Sequence, residues 1–297
     1  MAEFRSGFIT LLGKPNVGKS TLLNKVIGRK VSITSDKPQT TRHRILGIQT
    51  QKNHQFIFVD TPGLHESSGK TINRIITRTT RSSVEGVDVI VLMITYHGWG
   101  EKDRFLLDLL RDVSIPVVLA INKIDKIGNK ERLLPLIDES SKRMNFSAMI
   151  PVSASSGTNI RELLTVLGDM LPAGPMCFPE DQLTDRSAEF MISELIREQV
   201  FRLLGQELPY ETAVHIARIE EEYPLRIEAH IWVERESQKG IVVGRQGQRI
   251  KEISTRARKS IEQYLGKHVY LDLLVKVRKG WADNQADLNA LGYLGDH

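Results

Sequence analysis

The segment GKPNVGKS at residues 13–20 restricts the possible folds of this chain more than any other feature. It matches the pattern G-x-x-x-x-G-K-[ST] in full, directly after an apolar run at 8–12 and directly before a helix-forming stretch at 21–27. A strand, a glycine-rich turn and a helix in this order form a cradle of backbone N–H groups for phosphate. In such a loop Lys19 reaches the β- and γ-phosphates, and the Ser20 hydroxyl is a ligand of Mg²⁺. The sequence therefore predicts a nucleoside triphosphate site at Gly13, Lys14, Pro15, Asn16, Val17, Gly18, Lys19, Ser20 and Thr21.

The bulk composition indicates a globular protein with more than one domain. The chain has 297 residues, of which 40% are hydrophobic and 26% are charged. Its single cysteine, Cys177, excludes an intramolecular disulfide framework and fits a reducing cytosol. The N-terminus has no signal-peptide pattern, and the most apolar stretch, Val87–Ile94, is too short to cross a bilayer. We therefore expect a cytoplasmic protein.

Short apolar runs alternate with amphipathic stretches from residue 8 to about residue 171. This alternation predicts an α/β domain with a mostly parallel sheet, helices on both faces and a ligand outside the C-terminal strand ends. The expected strands after the first are 45–49, 55–60, 87–94, 116–122 and 148–152, and the expected helices are 71–82, 102–111, 130–142 and 160–170. Prolines within 172–179 then indicate a linker, so that the predicted domains are 1–171 and 180–297.

The run Asp60-Thr61-Pro62-Gly63 follows one of these strands. A carboxylate at this position can hold the Mg²⁺ shell through water, as the aspartate of other P-loop enzymes does. Gly63 leaves its N–H free to approach a γ-phosphate. We therefore add this run to the predicted nucleotide site.

A third motif, Asn122-Lys123-Ile124-Asp125, ends the strand at 116–122 and indicates which base is bound. The Asp125 carboxylate can accept hydrogen bonds from both N1–H and N2–H₂ of guanine, a donor pair that adenine lacks. The turn at Ser153-Ala154, after the next strand, is expected to supply a backbone N–H towards guanine O6. Together these residues predict guanine rather than adenine.

The four motifs, in this order, resemble the guanine-nucleotide-binding domain of the translation-factor-related GTPases over residues 6–171. The resemblance implies that residues 39–42 form the first switch, in which a threonine binds Mg²⁺ only when a γ-phosphate is present. Thr41 is the preferred ligand, and Thr40 is the alternative. Leu64 stands where Ras-like enzymes have the glutamine that orients the attacking water, so hydrolysis is expected to be slow or to use another group.

Asn16 in the phosphate loop has two possible roles. In related GTPases an asparagine at this place helps to coordinate K⁺ beside the phosphates, and the resemblance implies the same here. The alternative is a structural asparagine that ties the loop down.

The C-terminal half has a basic glycine-rich signature of its own. Residues 178–234 hold 5 Lys and Arg against 13 Asp and Glu, whereas residues 235–279 hold 12 against 4. The basic block contains a G-x-x-G turn, which opens an amphipathic helix at 248–265, and the expected element order is α-β-β-α-β. This pattern resembles a type II KH fold, whose G-x-x-G loop clamps the backbone of about four nucleotides. The RNA-binding residues implied by this resemblance are Gly244, Arg245, Gln246, Gly247, Arg249 and Lys251.

Taken together, the two halves resemble a family of KH-domain-containing bacterial GTPases of small ribosomal subunit assembly. The resemblance covers essentially the whole chain and implies GTP, GDP and Mg²⁺ as ligands. The implied partners are the 3′ end of 16S rRNA and the 30S subunit. The resemblance also implies a monomeric protein, of which a fraction is bound peripherally to the inner membrane. Three alternatives remain open: an RNA-binding factor with a relic nucleotide pocket, a P-loop kinase with a small acceptor, and a basic membrane-surface protein.

Overall fold

The computed structural model describes residues 3–38, 40–62, 71–72, 85–205 and 207–293. These residues form two compact units. Gly63, Leu64 and most of the helix expected at 71–82 lie outside the described residues. No helix in the described part of the chain is both long enough and apolar enough to span a membrane.

The first unit is built on a sheet with the strand order β2-β3-β1-β4-β5-β6. Every strand pair is parallel except β2 with β3, which are antiparallel neighbours along the chain. The strands are β1 Arg5–Gly13, β2 Ile45–Gln51, β3 His54–Asp60, β4 Val89–Thr95, β5 Val117–Asn122 and β6 Ala148–Pro151. The mostly parallel sheet predicted from the sequence is therefore confirmed.

Helices cover both faces of this sheet, as the alternation predicted. The helices of the first unit are α1 Lys19–Ile27, α2 Glu101–Leu110, α3 Leu133–Arg143 and α4 Ile160–Met170. One apolar core packs α1 and α4 against Ile9 and Leu11 of β1, and another packs α2 and α3 against Leu12. Because successive side chains of a strand point to opposite faces, β1, which is buried from Ile9 to Gly13, serves both cores.

The segment after α4 stays with the first unit as far as residue 185. Gln55 holds it at one point, because its side chain accepts from the N–H groups of Cys177 and Phe178. Further on, the Leu183 carbonyl accepts from the Ile48 N–H. The domain limits expected from the sequence stay a prediction.

The second unit has the elements of a type II KH fold, which confirms the predicted fold class. Its strands have the order β7-β8-β9, with β7 antiparallel and β9 parallel to β8. Its elements are α5 Ala188–Leu203, β7 Thr212–Glu220, β8 Leu225–Val233, α6 Glu236–Val243, α7 Gln248–Leu265, β9 Val269–Val277 and α8 Gln285–Ala290. Buried residues of α5, α7 and β8, such as Leu195, Ile253 and Ile231, share one core.

Helix α6 was missed in the sequence, because the expected order α-β-β-α-β has only the helix at 248–265 between the second and third strands of this unit. Glycine is a poor helix former, and three consecutive apolar residues do not have helical spacing. The missed signal is Gln238 at the third helical position, whose Oε1 accepts from the N–H groups of Glu234 and Arg235. A glutamine at this position is typical of a capped helix start.

Residues 33–40 also belong to the second unit. Helix α5 holds this segment through buried polar groups. Arg197 donates to the Thr40 carbonyl, and Glu198 accepts from the Thr34 N–H at 3.1 Å. Lys37 donates to the carbonyls of Phe201 and Leu204 at the end of α5. This packing had no signal in the sequence, where the stretch is only a polar loop.

Candidate functional site

The phosphate loop joins the C-terminal end of β1 to the N-terminus of α1. The loop closes on Lys19, whose buried Nζ donates to the carbonyls of Gly13 (2.8 Å) and Lys14 (3.1 Å). Burial lowers the pKa of Lys19 to about 8, and the nearby Asp60 carboxylate acts in the opposite direction. The ammonium group thus lies folded against the loop, among the groups that would surround phosphate oxygens. Lys14, in turn, pairs with the buried Asp103 at 2.5 Å, a partner that sequence reasoning missed.

Asn122 connects the loop to two other motifs. Its Nδ2 donates to the Val17 carbonyl (2.7 Å), and its Oδ1 accepts from the N–H groups of Lys123 (2.7 Å) and Ala154 (2.9 Å). A Cβ added to Gly18, which has φ +105°, would lie only 2.3 Å from Asn122 Nδ2. Glycine is therefore required here by a close approach as well as by its backbone conformation.

Asp125 lies at the exposed end of this network. Its Oδ1 accepts a hydrogen bond from Ser153 Oγ at 2.6 Å, and this bond is the main cause that lowers the pKa of Asp125. The group is therefore a carboxylate at neutral pH, which is the acceptor that guanine N1–H and N2–H₂ require. The N–H groups of Ser153 and Ala154 already have partners within the protein, Thr158 and Asn122. Their contact with guanine O6 stays a prediction.

Three predicted Mg²⁺ ligands lie together in the first unit. Ser20 Oγ is 3.0 Å from Thr41 Oγ1 and donates to Asp60 Oδ2 at 2.7 Å. Asp60 is fully buried, and its Oδ1 has no hydrogen-bond partner of good geometry among the described residues. Two hydroxyl oxygens and a carboxylate with an unused oxygen are the hard ligands that Mg²⁺ prefers, so these residues fit the ion.

Burial raises the pKa of Asp60, although the bonds from Ser20 and Ser32 and the charge of Lys19 oppose this shift. The geometry also separates the two threonines of the first switch. Thr40 Oγ1 bonds to Ser35 Oγ and to the Lys37 carbonyl, whereas Thr41 is the threonine beside Ser20. In the run that begins with Asp60, Thr61 Oγ1 donates to the Leu11 carbonyl. Pro62 is also described, whereas Gly63 and Leu64 lie outside the described residues.

Asn16, the residue considered for K⁺, is exposed and has a left-handed backbone with φ 64°. Its carbonyl accepts from Lys123 Nζ at 2.7 Å, which ties the loop to the guanine motif. This bond supports a structural role for the main chain of Asn16.

In the second unit, the G-x-x-G turn lies between α6 and α7. Gly244 has φ 72°, and a Cβ on it would lie 2.7 Å from Arg249 Cβ. Arg245, Gln246, Arg249 and Lys251 are exposed around this turn. Further along α7 the arginines are paired on the helix itself, Arg256 with Glu252 and Arg258 with Glu262. Arg245, Arg249 and Lys251, by contrast, have no acidic partner among the described residues, so they leave positive charge available at the glycine turn.

The first unit has a phosphate loop and a carboxylate suited to guanine at the strand ends of its sheet. These features are typical of the class of guanine-nucleotide-binding proteins. The comparisons agree. A family model described as 50S ribosome-binding GTPase matches residues 8–123, and a KH domain model matches residues 207–282.

Relatives extend over nearly the whole chain. GTPase Era of Coxiella burnetii (strain Dugway 5J108-111) is 50% identical over 288 residues, which is 97% of each chain. GTPase Era of Pasteurella multocida is 47% identical over 99% of this chain and 97% of its own. This chain belongs to the Era family of GTPases.

Two solved structures share the complete fold. An Era variant from Aquifex aeolicus bound to GDP·AlF₄⁻ is 39% identical, with a TM-score of 0.93 over 98% of this chain and 99% of its own. Era in complex with MgGDPNP and nucleotides 1506–1542 of 16S ribosomal RNA is 40% identical, with the same TM-score and coverage. The protein is thus a GTPase with a KH domain.

Proposed function

We propose that this GTPase is a molecular switch that binds 16S rRNA through its KH domain and assists assembly of the 30S subunit. The observation that carries this proposal is the exposed basic G-x-x-G turn, in a chain whose whole fold matches an Era structure that contains 16S rRNA. The backbone N–H groups of the turn and of the start of α7 can approach a phosphodiester closely, because Gly244 and Gly247 have no side chains. Arg245, Arg249 and Lys251 add the positive charge that makes such binding dependent on salt.

In the nucleotide site, Lys19 and the loop amides bind the phosphates and Asp125 selects guanine. Ser20, Thr41 and Asp60 hold Mg²⁺, with Asp60 acting through water. When bound, the ion neutralises negative charge on the phosphate oxygens. Leu64 stands where Ras-like enzymes have the glutamine that orients the attacking water, so slow intrinsic hydrolysis is expected.

A K⁺ ion held by Asn16 is a second way to neutralise that charge. Turnover that rises in K⁺ buffer relative to Na⁺ buffer, and an Asn16→Ala variant that loses this rise, would support the ion site. Equal turnover in the two buffers would reject it and leave Asn16 with a structural role.

Control of RNA binding by the nucleotide is supported by the position of residues 33–40 in the same compact unit as the KH elements. The Thr40 carbonyl is bound by Arg197 of α5, and Thr41 is the next residue. A γ-phosphate that orders Thr41 therefore also affects the Thr40–Thr41 peptide bond, whose carbonyl accepts from Arg197 of α5. Ordering of a switch loop by γ-phosphate is a general route from nucleotide state to a second binding site.

For the cellular context we propose a cytoplasmic monomer with a peripheral fraction on the inner membrane. The basic turn could contact anionic lipid headgroups as well as RNA, and binding to vesicles that falls with salt would detect this contact. Cell fractionation tests the location, and sedimentation tests the monomer.

Crosslinking to RNA followed by sequencing, with the protein loaded with GDP or with a non-hydrolysable GTP analogue, tests the whole proposal. We expect reads at the 3′ end of 16S rRNA that depend on the nucleotide. Reads at this site that do not depend on the nucleotide would favour an RNA-binding factor with a relic pocket. An absence of rRNA reads in both states would overturn the proposal.

A further inference from the structure

Helix α1 carries a clamp beside the Mg²⁺ ligand Ser20. Asn24 lies four residues after Ser20, so the two side chains project from the same side of the helix. Asn24 Oδ1 accepts from the N–H groups of Val31 (2.9 Å) and Ser32 (3.0 Å), and its Nδ2 donates to the Ser32 carbonyl (2.7 Å). One side chain thus fixes the main chain on both sides of Ser32.

The clamped residue contacts the carboxylate of the nucleotide site. Ser32 is 1% exposed, and its hydroxyl donates to Asp60 Oδ2 at 2.9 Å. Ser20 donates to this same oxygen at 2.7 Å. Two donors on one carboxylate oxygen leave the other, Oδ1, without a hydrogen bond of good geometry inside the described structure. A buried carboxylate oxygen without a donor is costly, so this arrangement calls for a partner beyond the described residues, and a water molecule of a metal shell would supply one.

We propose that Ser32 is a positioning residue for the Mg²⁺ site and that Asn24 acts through it. The two hydroxyl donors hold Asp60 in an orientation that leaves Oδ1 free to accept from a water molecule of the metal shell when the ion is bound. The torsion at the end of an aspartate side chain is broad, so a single donor would leave the carboxylate free to rotate. Ser20 can then direct a lone pair to the ion while its hydroxyl proton is donated in the hydrogen bond to Asp60 Oδ2.

The assignment rests on the Mg²⁺ site of the proposed function, and it predicts an effect that is specific to the ion. Outer-shell partners of metal sites typically change metal affinity by about 10- to 100-fold when they are removed. The Ser32 hydroxyl does not touch the loop that holds the phosphates, so nucleotide binding without the metal should be retained. A hydroxyl that served only the stability of the unit would change both properties together.

The experiment measures release of a fluorescent GDP analogue from the intact protein over a range of Mg²⁺ concentrations, with a series in EDTA. For Ser32→Ala we expect the Mg²⁺ concentration that half-slows release to rise about 10-fold, with release in EDTA changed less than about threefold. Ser32→Cys, which keeps the shape but donates weakly, should shift in the same direction by a smaller factor. Its smaller disturbance keeps the test available if the alanine variant does not fold.

Asn24→Ala and the double variant test whether the clamp acts through Ser32. If it does, the double variant shifts the Mg²⁺ dependence no further than Ser32→Ala alone, because coupled residues are not additive. Ser140→Ala is the matched control: Ser140 is fully buried in the same unit, where its hydroxyl accepts from Trp99 and donates to the Leu136 carbonyl. It should leave the Mg²⁺ dependence unchanged.

The outcomes distinguish a wrong metal site from a wrong assignment of Ser32. If Mg²⁺ does not slow release from the unsubstituted protein, the metal site itself is wrong, and the role of Ser32 falls with it. If the unsubstituted protein responds and Ser32→Ala responds at the same Mg²⁺ concentration, only the assignment of Ser32 is overturned. Equal loss of GDP binding with and without Mg²⁺ would also overturn it.

Discussion

Gly18→Ala should disconnect the phosphate loop from the guanine motif, because the new methyl group collides with Asn122. The added Cβ would lie 2.3 Å from Asn122 Nδ2, far inside van der Waals contact. Asn122 must therefore move, and it makes three hydrogen bonds, to Val17, Lys123 and Ala154, of which the first and the last are buried. The substitution also places alanine at φ +105°, a backbone conformation that L-residues rarely adopt.

The magnitude follows from these two contributions. The backbone strain costs about 1 kcal/mol, and three hydrogen bonds at about 1 kcal/mol each cost about 3 kcal/mol. We therefore expect the free energy of unfolding to fall by about 4 kcal/mol. Asn122 joins the phosphate loop, through Val17, to the guanine motif, through Lys123 and Ala154. If GDP binding must restore all three bonds, their share of about 3 kcal/mol corresponds to a loss of GDP affinity of more than 100-fold.

Gly28→Ala provides the matched control at the other end of the same helix. Gly28 also has a left-handed backbone, with φ 74°, but an added Cβ there meets no atom within 4 Å. It should lower the free energy of unfolding by about 1 kcal/mol and leave GDP affinity unchanged. Denaturant unfolding and titration with fluorescent GDP measure both quantities. A Gly18→Ala variant that binds GDP within threefold of the unsubstituted protein, or that matches Gly28→Ala in stability, would refute this reasoning.

Three further substitutions test other parts of the molecule. Asp125→Asn should shift preference from GTP towards XTP, because the carboxylate that accepts from two guanine donors is lost; unchanged GTP affinity in a competition assay would count against this role. Arg197→Met should destabilise the protein by about 3–5 kcal/mol in denaturant, because the buried Glu194 loses its ion pair with Arg197, and adding Glu194→Leu should restore most of the loss. Burial and the neighbouring His230 hold the pKa of His215 below its ordinary value. In the unfolded chain His215 is protonated near its ordinary pKa, whereas in the folded chain it stays neutral to lower pH, so the free energy of unfolding falls as the pH drops from 7 to 5. His215→Phe should reduce this fall. An ordinary pKa for His215 in an NMR titration of the folded protein would contradict the assignment.

The sequence predicts those parts of the candidate nucleotide site that are contiguous along the chain. A phosphate loop needs a strand, a glycine turn and a helix in succession, and residues 8–27 contain all three. The motifs at Asp60 and Asn122 were found in the same way, since each directly follows a buried strand. Parallel strands bring such ends to one edge of the sheet, so their proximity also followed from the pattern.

Contacts between distant polar residues could not be predicted. Nothing in the spacing of Asn24, Ser32 and Asp60 indicates that they form one chain of hydrogen bonds. The polar stretch at 33–40 has no periodicity, although α5 holds it with buried charged groups. The choice between Thr40 and Thr41 also needed coordinates, because the two residues are chemically identical and only their direction differs.

Helix α6 shows a different limit. Its glycine and its three consecutive apolar residues have local preferences against a helix, and the structure overrides them. Only Val242 of those three is fully buried in the KH core, while Ile241 is exposed at the surface. In a helix only one of three consecutive residues can face the core, and the run of three apolar residues did not indicate this arrangement.

The central claim is that the bound nucleotide controls RNA binding, and the most direct test is the affinity of the whole protein for an oligonucleotide with the 3′-terminal sequence of 16S rRNA. Fluorescence anisotropy at a fixed salt concentration would compare the GDP state with the GTP-analogue state. The account predicts affinities that differ by about tenfold or more, a coupling of about 1.4 kcal/mol, and by linkage the RNA must change the affinity ratio of the two nucleotides by the same factor. Equal RNA affinity in the two states would contradict it.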